Sequence, residues 1–403
     1  MATEPLSACI EAHREGRLND AIDQLTRARD ASAGRKQRFD YTIGLLQCQR
    51  GKVTAGLDLI RHAAAARPGI LPLLPMPVPA LESVLGDLEG EPARLTVALA
   101  LGESLHAAGR EANARTVFVR IVRDLAGRGE RPPAAPGLTE AEVRAAIAPQ
   151  PIWHPIDLGG DLWIEGQGKT ARICAAEMLR LHAPPDLTGK TVLDIGAWGG
   201  FFSFEMERRG AQGTALDYYS WVTNFVKLHE WAAREKQAGR IADNYHAPAD
   251  VMDRQALPGR ADFDFSHRTL GSTVRPICSV FEEATPETLG VHDVVLYLGV
   301  LYHVLDPFGA LQKVASVCRE MAIIETLGFV SPTHEHEPLW QFFRDDRINH
   351  DKTTWWAPNE VGLHDMLLAA GFRRVEILYG ADSLLPLRSE CLLHTRTIAH
   401  AYK

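Results

Sequence analysis

The chain has no run of about 18 apolar residues, so no segment reads as a membrane-spanning helix. Its first residues, Met-Ala-Thr-Glu-Pro, lack the charged-then-apolar order of an export signal. A cytoplasmic protein with no membrane partner is the expectation. Cysteine is sparse: the six residues Cys9, Cys48, Cys174, Cys278, Cys318 and Cys391 are scattered, with no Cys-x-x-Cys pair. That argues against a disulfide framework or a zinc ribbon and for reduced thiols. Positive charge is also short, 43 Lys and Arg against 51 Asp and Glu, and it forms no basic run. A net charge of −8 gives no general attraction to phosphates, which makes nucleic acid a less favoured partner than a small molecule.

What the sequence does contain is organised around Thr191-Val192-Leu193-Asp194-Ile195-Gly196-Ala197-Trp198-Gly199-Gly200-Phe201. An apolar run ends in an acid, passes through a glycine-rich turn and enters a helical stretch, Phe202 to Arg208. This is a buried strand feeding a helix N-terminus, a geometry that presents backbone N–H groups to a nucleotide-like ligand. Trp198 stands where a dinucleotide site would have its middle glycine, so the turn alone is a weak signal. About 20 residues on, Gly213 to Asp217 supplies a second strand ending in an acid suited to ribose hydroxyls. Asp293 to Leu298 is a third strand, running through Gly299 to Tyr302 and His303, and Met321 to Thr326 is a fourth. Strands alternating with helix-length segments predict a doubly wound α/β domain whose ligand sits beyond the strands' carboxyl ends.

Three separated motifs, Asp-Ile-Gly-Ala-Trp-Gly-Gly-Phe-Phe, Leu-Gly-Val-Leu-Tyr-His-Val-Leu-Asp-Pro and Thr-Thr-Trp-Trp-Ala-Pro-Asn, resemble class I S-adenosylmethionine-dependent methyltransferases. Within them they look like the branch of the wobble-uridine tRNA carboxymethyl/methyl transferase and related bacterial enzymes. The resemblance covers residues 150 to 403 and implies a Rossmann-like domain with S-adenosylmethionine as cofactor. It implies cofactor contacts at Asp194, Gly196, Trp198, Gly200, Asp217, Tyr218, Phe281, Glu282, Leu298 and Gly299. Asp194 holds the turn or reaches the cofactor's amino group, and Trp198 walls the methionine tail or simply packs. Asp217 takes the ribose, Tyr218 the adenine edge, and Phe281 with Glu282 the adenine ring and amino group, after a strand spanning Val274 to Val280.

Tyr302 and His303 fall where methyl transfer occurs in that family. His303 is a candidate general base for an oxygen nucleophile, with ordering of the loop as the structural reading. The lead-in segment supplies two candidates for the substrate mouth: His154, otherwise a packed histidine, and Lys169, otherwise a surface cation. Further candidates are Asn349, Lys352, Trp355, Trp356 and Asn359; of the two tryptophans one is expected in the core and the other against a sugar or aromatic ring. Thr333-His334-Glu335-His336-Glu337 lacks a third ligand at a metal-binding spacing and reads as a polar loop, so no metal is expected.

Residues 1–130 read differently. Cys9, Gly16, Ala21, Leu25 and Ala28 recur in spacing as Gly44, Gly51, Gly56, Ile60 and Ala63, and again as Gly102, Gly109, Ala114, Phe118 and Ile121. Small residues at these offsets describe closely packed helix pairs resembling tetratricopeptide repeats. Pro68 to Pro79 interrupts them with an irregular connection. These helices would serve as a protein-binding groove, a self-association arm or a helical cap. Residues 131–150 form a linker and lead-in helix N-capped by Thr139, and residues 151–403 the catalytic domain. The expected function is methyl transfer to a hydroxyl of a small molecule or saccharide. The alternatives are wobble-uridine carboxymethylation with a carboxylated cofactor, for which Tyr302 and Lys352 would bind the extra carboxylate, or a non-catalytic repeat scaffold.

Overall fold

The computed structural model describes residues 3–403 except 33–35, 127–134, 136, 240–246, 332–333, 335, 346, 349–352 and 381–392. Asn349 and Lys352 therefore lie outside the described residues, as do Thr333 and Glu335.

Seven helices open the chain: α1 (Thr3–Arg14), α2 (Leu18–Ala31), α3 (Gln37–Gln49), α4 (Val53–Ala66), α5 (Val78–Asp87), α6 (Ala93–Ala107) and α7 (Glu111–Asp124). Of the glycines in the sequence pattern, Gly44, Gly56 and Gly102 lie at helix crossings, while Gly16, Gly51 and Gly109 turn the chain between helices at positive φ. A Cβ on Gly44 would fall 2.8 Å from the Gly56 carbonyl, and one on Gly102 2.4 Å from the Phe118 ring. Glycine there lets α3 meet α4, and α6 meet α7, at close range. After α8 (Glu140–Ile147), closed by a Thr139–Glu142 capping box, come the short strands β1 (Ile156–Asp157) and β2 (Trp163–Ile164). The next helix, α9 (Ala171–Leu181), packs on α6 and α7. One compact unit thus joins Met1–Leu125 with Ala171–Ala183, whereas a division by sequence places α9 in the catalytic part. The physical reason is its buried face, Ala171, Cys174, Ala175 and Met178, whose small residues suit close helix packing.

The second unit holds the sheet. Its elements are β3 (Thr191–Ile195), α10 (Phe201–Arg208), β4 (Gln212–Asp217), α11 (Tyr219–Val222), α12 (Phe225–Gln237), α13 (Ala261–Leu270), β5 (Arg275–Cys278), α14 (Pro286–Leu289), β6 (His292–Leu298) and α15 (Pro307–Val317). They continue as β7 (Cys318–Val330), β8 (Trp340–Phe342), β9 (Trp356–Pro358), α16 (Glu360–Ala369), β10 (Arg374–Tyr379) and β11 (Leu393–Tyr402). The seven-stranded sheet runs β10-β11-β7-β6-β3-β4-β5. Strands β5, β4, β3, β6 and β7 are parallel, while β11 is antiparallel to both neighbours.

The chain moves outward from β3 to β4 and β5, then returns to place β6 on the other side of β3. That reversal between β3 and β6 is the place where open α/β sheets bind ligands, and the Asp194–Gly200 and Leu298–His303 turns follow the carboxyl ends of these two strands. The apolar residues of β3, β6 and β7 are buried against α15 and α16, which fixes those turns in place. Strand β5 is shorter than the Val274 to Val280 span read from the sequence. It is the edge strand and exposes Arg275, Pro276 and Cys278.

Candidate active site

The glycine turn is built from backbone hydrogen bonds and two buried acids. Gly196 N–H donates to the Leu216 carbonyl (2.8 Å), tying the end of β3 to β4. Asp194 is 3% exposed and accepts from the Ser203 hydroxyl at 2.6 Å. It therefore braces the strand against α10. Burial pushes its carboxyl up to about 6, against the opposing pull of Ser203. Asp217, 6% exposed at the tip of β4, accepts Trp198 N–H on one oxygen (2.9 Å) and Ser220 N–H on the other (3.0 Å). Burial raises its carboxyl too, opposed by those hydrogen bonds. Hydrogen bonds from Ser220, Trp198 and Tyr218 thus hold this carboxylate at the tip of β4.

Trp198 adopts φ +46°, a left-handed conformation unusual for a bulky residue. Its indole lies between Trp153 (centroids 5.2 Å) and Phe225 (5.0 Å), both stacked on it. Trp153 is held by the lead-in segment, whose Gly168 and Lys169 N–H groups donate to the Trp153 carbonyl. Gly168 lies so close that a Cβ there would come within 2.3 Å of the Trp153 ring. His154 packs edge-on to Trp198 and parallel to Phe201, and its Nδ1 is buried. Burial first, and Lys169 second, hold its imidazole well below the ordinary histidine range, so it stays neutral. The Lys169 ammonium lies 5.5 Å from the Phe202 ring.

Tyr218, expected at the adenine edge, is half-buried with Arg254 over its ring at 5.2 Å. Phe281 is buried against Tyr297, and Glu282 is exposed. Leu298 ends β6, and Gly299 turns at φ +72° with its N–H on the Glu325 carbonyl (2.9 Å).

Tyr302 and His303 follow with their rings 4.2 Å apart. His303 Nδ1 lies 3.0 Å from the Thr353 carbonyl and 2.8 Å from the Thr353 hydroxyl. The carbonyl can only accept whereas the hydroxyl can donate or accept, so Thr353 anchors the imidazole through Nδ1 in either tautomer. Trp355 N–H donates to the Tyr302 carbonyl (2.7 Å), which seats the Trp355–Trp356 pair beside this turn. Trp355 stacks on Phe342, and Trp356 donates its indole N–H to the Leu305 carbonyl. Asn359 is 4% exposed and caps α16, accepting from Gly362 and Leu339 N–H and donating to the Glu337 carbonyl. Its amide is committed to the fold. Among the described residues no group of three or more His, Cys, Asp or Glu is arranged to hold a metal.

Two groups escaped the sequence reading. Arg396 on β11 makes a bidentate pair with Glu325 on β7, and its guanidinium lies over the Tyr302 ring at 4.9 Å. Burial favours its loss of charge, but Glu325 and Tyr302 outweigh that and hold the guanidinium above its ordinary range. Asp262 on α13 is 3% exposed, and a Cβ on Gly199 would lie 2.5 Å from its Oδ2.

The family model described as "Methyltransferase domain" matches residues 167–377, more than half of the chain. The chain belongs to the methyltransferase-domain family. Ubiquinone biosynthesis O-methyltransferases from strains of Xanthomonas oryzae pv. oryzae are 37% identical over 70 residues, 17% of this methyltransferase and 29% of theirs. The chain thus spans less than a third of the length of these curated relatives. A solved S-adenosylmethionine-dependent methyltransferase from Mesorhizobium loti aligns with 56% of this chain and 97% of its own, at 14% identity and a TM-score of 0.32. The N-terminal domain of EvdMO1 with SAH bound aligns with 53% of this chain and 74% of its own, at 18% identity and a TM-score of 0.34. TM-scores this low specify no function.

Proposed function

We propose that this methyltransferase transfers a methyl group from S-adenosylmethionine to a hydroxyl oxygen of a small molecule or saccharide. The observation that supports the reading is the anchoring of His303 through Nδ1 by Thr353 beside the turn after β6; with its proton on Nδ1 the ring would act as a base through Nε2. The cofactor's chemistry is a methyl group on a sulfonium leaving group. This chain would supply the rest. Asp217 holds the ribose hydroxyls and the Gly196–Gly200 turn keeps backbone against the ligand. The Leu298–Gly299 turn would line the cofactor. His303 Nε2 takes the acceptor's hydroxyl proton as its oxygen bonds to carbon, with alignment contributing as much as proton transfer.

The Arg396–Glu325 pair favours the ordinary cofactor over a carboxylated one, because the cation adjoining Tyr302 already has a carboxylate partner. We also read residues 3–125 as a tetratricopeptide-like arm for a protein partner or self-association. Light scattering that finds only monomer at every concentration would remove the self-association part.

Calorimetric titration with S-adenosylhomocysteine tests the cofactor, and absence of binding would overturn the assignment. His303→Ala is expected to lower kcat by about 10²- to 10⁴-fold with cofactor affinity unchanged. A fall in cofactor affinity alone would make His303 a loop-ordering residue.

A further inference from the structure

The space beside Gly299 has a chemistry of its own. A methyl group added to Gly299 would sit 3.5 Å from the Tyr302 hydroxyl, 3.6 Å from Arg396 Nη2 and 3.8 Å from Glu325 Oε2. A donor–acceptor hydroxyl, a cation and an anion thus meet within one van der Waals shell of the turn that would line the cofactor. Arg396 gives two N–H groups to Glu325, and its guanidinium also interacts with the Tyr302 side chain. Glu325 is 4% exposed, while Arg396 is half-buried.

From this cluster an aromatic surface runs outward. Trp355 is joined to Tyr302 through its backbone, and Phe342 stacks on Trp355 with centroids 6.2 Å apart and planes 15° from parallel. Trp356 packs against Phe342 at 5.0 Å. Phe342 is 53% exposed, and the neighbouring Leu305 is 67% exposed. The Trp355 indole N–H, a donor only, is buried and has no partner among the described residues.

The two features set requirements that few ligands meet together. The aromatic rings present a half-open shelf rather than an enclosing apolar pocket, and they need a flat C–H surface of modest size. The ion pair offers planar donors and acceptors side by side, matched by adjacent groups that each donate and accept. Because Glu325 neutralises Arg396, the site has little net charge with which to repay the desolvation of an anion. We propose that this site binds the acceptor as a neutral pyranose. Its C–H face lies on Phe342 and Trp356, and a vicinal diol bridges Arg396, Glu325 and the Tyr302 hydroxyl. A third hydroxyl of the same ring then lies toward His303. The assignment rests on the methyl-transfer reading and narrows its acceptor to a saccharide.

The test uses the full chain saturated with S-adenosylhomocysteine. Methyl α-D-mannopyranoside, methyl α-L-rhamnopyranoside, methyl β-D-glucopyranoside and methyl β-D-glucuronide are titrated in turn and followed by saturation-transfer NMR. At least one neutral pyranoside is expected to bind saturably and more tightly than the glucuronide. Phe342→Ala and Glu325→Gln are each expected to weaken it by about tenfold or more, with S-adenosylhomocysteine affinity within about twofold of the unaltered protein. No saturable binding of any neutral pyranoside, while S-adenosylhomocysteine still binds, overturns the proposal. So does preference for the glucuronide, or a loss in the variants that cofactor affinity follows in parallel. Failure to bind S-adenosylhomocysteine itself brings down the methyl-transfer reading instead.

Discussion

The Asp262 carboxyl sits against the glycine turn with one oxygen on the N–H of Phe263 and the other facing Gly199. Burial pushes it up to about 7, with its backbone hydrogen bonds pulling the other way. A carboxyl raised in the folded state binds a proton there that the unfolded chain has already released. Stability is therefore lost as pH rises from the ordinary carboxylate range to about 7. The scale of that loss is a few kcal/mol at most. Asp262→Asn has the same shape without the charge, so its urea midpoint is expected to fall less over that window. Parallel pH profiles for the two proteins would show that Asp262 ionises freely in the fold.

Asp262 and Arg396 also show where single residues stop being legible. Asp217, Gly299, Tyr302 and His303 could be picked out because each adjoins a strand whose apolar run is obvious. Ala261-Asp262-Phe263-Asp264-Phe265 alternates polar and apolar residues, a strand-like pattern, yet it forms helix because Phe263 packs between Phe204 and Trp221. Arg396 and Glu325 are 71 positions apart, and only the register of β11 on β7 brings them together. No local spacing encodes that.

Among elements, the helix pairs of the first unit are the most sensitive to volume. The crossing of α6 and α7 closes on Gly102, where a methyl group would meet the Phe118 ring at 2.4 Å. Gly102→Ala, though favourable for an isolated helix, is expected to destabilise the protein by about 1–3 kcal/mol. Chemical denaturation decides it, and an increase in stability would show that the two helices separate easily. The sheet was legible as β3, β4, β6 and β7 because buried parallel strands are near-continuous apolar runs. Edge strand β5 was read too long, since its exposed residues carry no such signal.

At the scale of the whole molecule, the chain divides into two compact units, each with its own buried residues. Unfolding of such a protein need not be a single step. Calorimetry is expected to resolve two transitions, of which S-adenosylhomocysteine raises the one belonging to the sheet-containing unit. At about 100 times its Kd the ligand would add about 2.7 kcal/mol to that unit. An equal rise in both transitions would mean that the units unfold together. The net charge of −8 bears on the acceptor as well. Transfer RNA should neither bind at about 0.15 M salt nor compete with a hydroxylated acceptor, and binding of it would return the wobble-uridine reading to first place.

The left-handed Trp198 has a use beyond packing. An indole pinned between Trp153 and Phe225, on the loop that a nucleoside would touch, is a built-in optical probe whose environment changes when that stack shifts by fractions of an ångström. With eight tryptophans in the chain, the difference between stopped-flow emission traces of the unaltered protein and Trp198→Phe would isolate its response to ligand.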